Sequence, residues 1–231
     1  MTLLREFYLA NKDAIDNHIK TSCYASNDGI DCPIENNSTS PFETRKWFYL
    51  KKKVWTILPL SEYFVDEKII DIGAGCGDMF FPIKFFKPKL FDACDPDINH
   101  YQFLKNNVSY DNIFQDGLEE INMDKYSMAI LTGSWIPDLS IFLDIISKYK
   151  NINKIYYENN TFSSNNINFT ESFEQTAGSW RWNVDSTSTQ LSWIRTKNEF
   201  RKIGYEPIFE QHRRRNYPGK LKTKVLFKLV E

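Results

Sequence analysis

The chain has 231 residues and a net charge of −1, with 42% hydrophobic and 16% aromatic residues. That is enough apolar material for one large domain whose core needs no disulfide or metal. The near-zero charge excludes a global field for DNA or another long polyanion, so anion binding has to come from a local cluster.

The first residues, from Met1 to Phe7, lack the basic-then-apolar order of a secretory signal. No apolar run reaches the length of a membrane span. Cys23, Cys32, Cys76 and Cys94 follow no zinc or CxxC spacing and are expected to be reduced thiols of a cytoplasmic protein. Residues 1–60 are expected to form a helical and loop extension covering the active site. Leu4, Phe7, Tyr8, Ala14 and Ile15 fall at helical spacing, and 26–41 is rich in Asn, Ser and Pro. The basic-aromatic run from Arg45 to Trp55 predicts a helix whose Lys and Arg stems lie over apolar surface.

From residue 61 to 231 the pattern is that of a single α/β domain. Short apolar runs at 68–72, 90–94, 112–115, 127–131 and 154–157 alternate with helical patterns, which predicts βαβ units and a parallel sheet covered on both faces. Asp97 stands where a helix N-cap belongs. The polar stretch 159–192 reads as a substrate lid, since a structureless loop of that length is usually functional. Thr196 and Glu199 have the spacing of a capping box, and Gly204 ends the helix it would open. Two strands, 205–210 and 223–230, close the chain.

The most informative segment runs from Ile69 to Gly77, where a buried strand enters a loop containing Gly73, Gly75 and Gly77. A dinucleotide site would need G-x-G-x-x-G, with a third glycine where this chain has Asp78. A carboxylate there repels a pyrophosphate and favours a cofactor without phosphates. Asp71-x-Gly73-x-Gly75-x-Gly77 resembles the first motif of class I S-adenosylmethionine-dependent methyltransferases. The resemblance implies a doubly wound, seven-stranded, mostly parallel sheet with an antiparallel last strand, and S-adenosylmethionine as cofactor. It further implies that Asp71 orients the cofactor's amino-acid part beside Gly73, Ala74, Gly75 and Gly77. Asp95, followed by Pro96, would hold the ribose hydroxyls, and Asp116 with Gly117 would lie near the adenine amino group. Thr132, at the end of the fourth strand, completes the expected cofactor set.

Ligands in open α/β sheets bind beyond the carboxyl ends of the parallel strands. The fourth strand there lacks the [Asn/Asp]-Pro-Pro-[Tyr/Phe] sequence common among methyltransferases of exocyclic amines and amides, and carries Trp135 instead. The segment between the last two strands contains Arg213, Arg214 and Arg215, and the lid contains Trp180 and Trp182. Guanidinium groups take phosphate or carboxylate, and indole faces pack on sugar rings. These residues predict a small polar acceptor, anionic or sugar-containing, with no metal and no DNA. O-methylation of a sugar, nucleotide-linked sugar or phosphorylated metabolite, for a surface glycan or capsule, is the leading expectation. A hydroxyl acceptor benefits from a general base, for which His212, Glu158 and Asp138 are the candidates. The alternatives are a methyltransferase directed at RNA or another nitrogen acceptor, and a non-catalytic module that binds the cofactor only.

Overall fold

The computed structural model describes residues 2–21, 46, 49–132, 139–163, 169–172, 187–190, 193–214 and 220–230. Helix α1 (Thr2–Thr21) is kinked at Asn11, whose side-chain amide donates to the Phe7 carbonyl. Phe7, Ile15 and Ile19 lie on one face and are fully buried, the amphipathic pattern of a helix docked on a core. The ring edge of Phe7 meets Phe85 at 5.3 Å. Of the segment expected as a helix leading into the core, Lys46 and Tyr49 are α-helical and Leu50–Val54 form a π-helical turn, with Trp55 N–H bonded to the Leu50 carbonyl at 2.8 Å. A 3₁₀ helix, Leu58–Tyr63, follows.

Strands β1 (Lys68–Ile72), β2 (Leu90–Cys94), β3 (Ile113–Phe114), β4 (Met128–Thr132) and β5 (Lys154–Ser163) are parallel neighbours in the order β3-β2-β1-β4-β5. Helices α2 (Phe80–Phe85), α3 (Ile98–Asn107) and α4 (Leu139–Ile146) connect them. Helix α5 (Trp193–Lys202) leads into β8 (Tyr205–Arg214) and β9 (Lys220–Leu229). The last strand, β9, inserts between β5 and β8 and is antiparallel to both. This is the doubly wound seven-stranded sheet that the motif resemblance implies.

Two apolar layers hold the sheet. Helices α1 to α3 and residues 49–64 share one core with Ile69, Ile130, Tyr156 and Leu226, whereas Phe142 and Phe200 of α4 and α5 join the other with Ile70, Leu131, Tyr157 and Phe227. The alternation of strand side chains therefore assigns each functional residue to a face.

Three expectations need correction. Thr196 does not cap α5: the helix starts at Trp193, and Thr196 lies one turn inside it, buried on the same face as Phe200. Phe200 stacks on Phe227 with ring centroids 4.0 Å apart, so core packing claims the face on which Thr196 stands. Glu199 pairs with Lys202 instead of closing a capping box. Within 159–192, β5 continues to Ser163, and β6 (Phe169–Ser172) pairs with β7 (Thr187–Gln190) as a separate two-stranded sheet. The closing strands are also longer than read, because ladder pairing continues to Arg214 opposite Leu221.

Candidate functional site at the carboxyl edge of the sheet

The loop after β1 is shaped by three residues in the left-handed region, Gly73 (φ 62°), Gly75 (φ 58°) and Gly77 (φ 77°). Side chains larger than hydrogen rarely adopt that conformation. The N–H groups of Gly73 and Ala74 donate to the Cys94 carbonyl at 2.9 and 3.2 Å, which draws the loop over the end of β2. Gly75 and Gly77 then differ. Among the described residues a methyl group at Gly75 would meet nothing within 4 Å, whereas at Gly77 it would meet Leu104 at 3.0 Å and Val108 at 3.2 Å. Gly77 admits α3; Gly75 has an open side among the described residues.

Carboxylates surround this loop. Asp71 is buried at the end of β1, and its Oδ2 accepts a 2.7 Å hydrogen bond from the Tyr110 hydroxyl. Its Oδ1 has no hydrogen-bond partner among the described residues. Burial pushes the Asp71 carboxyl up to about 7, against the opposing pull of Tyr110 and the Lys53 charge. Asp95 is fixed from both sides: Oδ2 accepts from Gly75 N–H at 2.7 Å, and Oδ1 from Asp97 N–H at 3.0 Å. Each oxygen can accept a further bond.

His100 Nδ1 lies 3.3 Å from Asp95. Burial alone would lower the imidazole's pKa, but the Asp95 hydrogen bond and charge outweigh it, and the net shift is upward. Asp97 caps α3 as read, accepting from the N–H groups of Asn99 and His100. Those bonds hold its carboxyl below the usual range although burial opposes them. Pro96 is exposed between the two acids. Asp116 is exposed just beyond β3, and Gly117 precedes a 3₁₀ turn, Leu118–Glu120. The Asp116 charge contributes, behind burial, to a Cys94 thiol pushed up to about 12.

Asp78, the residue that breaks the dinucleotide pattern, is gripped by the N-terminal extension. His18 Nε2 lies 3.2 Å from its Oδ1, Lys53 Nζ lies 4.0 Å from its Oδ2, and the Tyr49 hydroxyl donates to its backbone carbonyl at 3.0 Å. His18 itself is buried against the rings of Tyr49, Phe81 and Phe103.

Further along the same edge, Thr132 of β4 stands opposite Glu158 of β5, which stands opposite Lys224 of β9. Glu158 is buried between two ammonium groups, Lys53 Nζ at 3.7 Å and Lys224 Nζ at 3.4 Å, and Lys224 also donates to Thr56. By strand alternation Asp71, Thr132, Glu158 and Lys224 all lie on the sheet face that α1 covers. His212 lies on the other face: it stands opposite Thr223 in β9, its Nδ1 is 3.0 Å from Thr223 Oγ1 and its Nε2 is 3.1 Å from Glu210. Two of the three base candidates are thus on opposite faces. The backbone of Arg213 continues β8 opposite Lys222. Asp138, Trp135, Trp180, Trp182 and Arg215 lie outside the described residues.

The sequence reading did not find His18, Tyr49, Lys53, Tyr110 or Lys224 as site residues. His18 and Lys53 are distant in sequence from the glycine loop, and Lys53 stood within a run whose composition suits a snorkelling surface. A polar residue alternating into the buried face of β9 was the available signal for Lys224.

No protein-family model and no curated protein matches the sequence. Solved structures do match the fold. Magnesium protoporphyrin IX methyltransferase from Synechocystis, with bound S-adenosylmethionine, has a TM-score of 0.56 at 9% identity, covering 95% of this chain and 97% of its own. A 1,6-didemethyltoxoflavin-N1-methyltransferase from Burkholderia thailandensis has a TM-score of 0.55 at 12% identity, covering 86% and 94%. An S-adenosylmethionine-dependent methyltransferase from Clostridium acetobutylicum has a TM-score of 0.52 at 12% identity, covering 78% and 92%. The chain has the class I S-adenosylmethionine-dependent methyltransferase fold.

The residues at the edge fit that cofactor. A buried carboxylate oxygen without a partner among the described residues, Asp71 Oδ1, suits a cationic amino group, and the side of Gly75 left open by those residues gives room beside it. Three acids around one loop, Asp71, Asp78 and Asp95, suit a sulfonium and not a pyrophosphate. Among the described residues no cluster of His, Cys, Asp and Glu is arranged to hold a metal ion, and no helix is long and apolar enough to cross a membrane.

Proposed function

We propose that the chain is a methyltransferase that uses S-adenosylmethionine to methylate a hydroxyl group of a small polar acceptor. The observation that carries the cofactor assignment is Asp71: a buried carboxylate whose Oδ1 has no hydrogen-bond partner among the described residues, at the mouth of a loop where none of them lies within 4 Å of a methyl group built at Gly75. Asp71 would hold the amino group, Asp95 the ribose hydroxyls and Asp116 the adenine amino group. The cofactor supplies a methyl group already activated on sulfonium.

Because the leaving group needs no further activation, the chain's own task is to position the acceptor and manage one proton. Glu158 is the base we assign, since it shares a sheet face with Asp71 and stands beside Thr132. In that role it would take up the acceptor's hydroxyl proton, and the bound cofactor would supply the methyl group to the acceptor oxygen. Lys53 and Lys224, at 3.7 and 3.4 Å, hold the Glu158 carboxylate in place before that step. An acceptor with a sugar or phosphate remains the reading of Arg213, Arg215, Trp135, Trp180 and Trp182, with surface-glycan modification as its setting.

Titration calorimetry tests the cofactor assignment. S-adenosylhomocysteine should bind with one-to-one stoichiometry and NAD should give no heat; tight NAD binding without a response to S-adenosylhomocysteine would overturn it. A panel of nucleotide sugars and sugar phosphates, assayed for S-adenosylhomocysteine release, then tests the acceptor.

A further inference from the structure

The stretch from Tyr49 to Thr56 places polar groups deep against the carboxyl edge of the sheet. Tyr49 reaches the backbone of Asp78, Lys53 reaches Asp78 and Glu158, and Thr56 accepts from Lys224. The Lys53 side chain is only 12% exposed. Lysine normally keeps its ammonium in water, so a buried one marks a specific demand for positive charge. Its turn is π-helical, a geometry that widens the helix and recurs at functional sites.

The amino-acid end of S-adenosylmethionine is a zwitterion, with an ammonium and a carboxylate on the same carbon. Asp71 answers the first charge. A carboxylate set among Asp71, Asp78 and Glu158 without a cation would be repelled, and Lys53 is the ammonium that reaches both Asp78 and Glu158. We propose that Lys53 binds the carboxylate of the cofactor's amino-acid end, which makes the segment from Tyr49 to Thr56 a wall of the cofactor site. The inference rests on the cofactor reading above. It adds a residue from the N-terminal extension that neither the glycine loop nor the strand-end acids would identify.

The test compares two ligands that share the adenosine part. S-adenosylhomocysteine carries the zwitterion, and 5′-methylthioadenosine lacks it. Lys53→Met removes the charge while keeping the length of the side chain. It should weaken S-adenosylhomocysteine on the order of tenfold to a hundredfold, the loss typical of a charge-assisted hydrogen bond, and leave 5′-methylthioadenosine unchanged. Lys53→Arg should recover most of the difference. The readout is the ratio of the two affinities, so a destabilised variant still reports. Equal losses for both ligands, or no loss for either, would overturn the proposal and return Lys53 to a purely structural role. A wild-type protein that binds neither ligand would instead overturn the cofactor reading itself.

Discussion

Asp95 and Asp97 are two residues apart and do different work, which their environments explain. Asp95 is buried and ties Gly75 to the start of α3, whereas Asp97 is exposed and caps that helix. The Asp97 cap and the position of Asp95 directly after β2 were legible because N-caps and strand ends are local features. What local sequence did not give was the coupling of Asp95 to His100, five residues on, because it depends on how the first turn of α3 is oriented. Asp95→Asn should weaken S-adenosylhomocysteine by about tenfold, in line with loss of charge-assisted bonds to the ribose. It should also lower the His100 pKa from its raised position toward or below 6.5, since burial remains and the anion is gone. A ring-proton NMR titration reads the second effect directly. Asp97→Ala should cost about 1 kcal/mol of stability as a lost cap and leave cofactor affinity alone. A larger binding loss in Asp97→Ala than in Asp95→Asn would reverse the assignment.

At the scale of elements, the first four strands were readable because each is a short apolar run bounded by turn residues. The rest was less so. Strand β5 runs on through Asn159 and Asn160, whose composition reads as loop, because it pairs with β9 at Asn159 and again, past a register shift, at Phe162 and Ser163. The Thr196 capping box failed because the helix already begins at Trp193, which puts Thr196 a turn inside it on the buried face with Phe200. The glycine loop was recognised, but the distinct roles of its members were not: Gly77 serves helix packing and Gly75 serves the open side. Gly77→Ala should therefore destabilise the protein by about 2–4 kcal/mol, combining left-handed strain with overpacking against Leu104 and Val108. Gly75→Ala should cost only about 1 kcal/mol, from the backbone strain, yet weaken S-adenosylhomocysteine because its methyl group projects into the open side. Urea unfolding and calorimetry on the two variants separate these outcomes; equal stability losses would contradict the division of roles.

For the whole molecule, the N-terminal extension and the sheet share one core, so the polar groups of the site titrate together with folding. Asp71 has the largest consequence. Its carboxyl is pushed from 3.8 to about 7 by burial, so the folded chain keeps a proton that the unfolded chain gives up. Below about pH 4 both states are protonated and the group costs nothing. As pH rises from about 4 to 7, the unfolded state gains by ionising and the stability contributed by protonated Asp71 is lost, with a plateau above 7. Asp97 shifts in the opposite direction, so its stabilising contribution is lost only on acidification below the same window. Asp71→Asn keeps an acceptor for the Tyr110 hydroxyl and cannot ionise. The variant should therefore become more stable relative to wild type between pH 4 and 7, by on the order of 1–4 kcal/mol at the plateau. Binding reverses the preference, because a cationic amino group favours the ionised carboxylate. S-adenosylhomocysteine affinity in the wild type should increase as pH rises from 6 to 8, with proton release visible as a dependence of binding heat on buffer ionisation enthalpy. Asp71→Asn should lose both that pH dependence and the proton release. A stability difference that stays flat from pH 4 to 7, measured by urea unfolding of the ligand-free proteins, would show that Asp71 is ionised throughout that range in the fold.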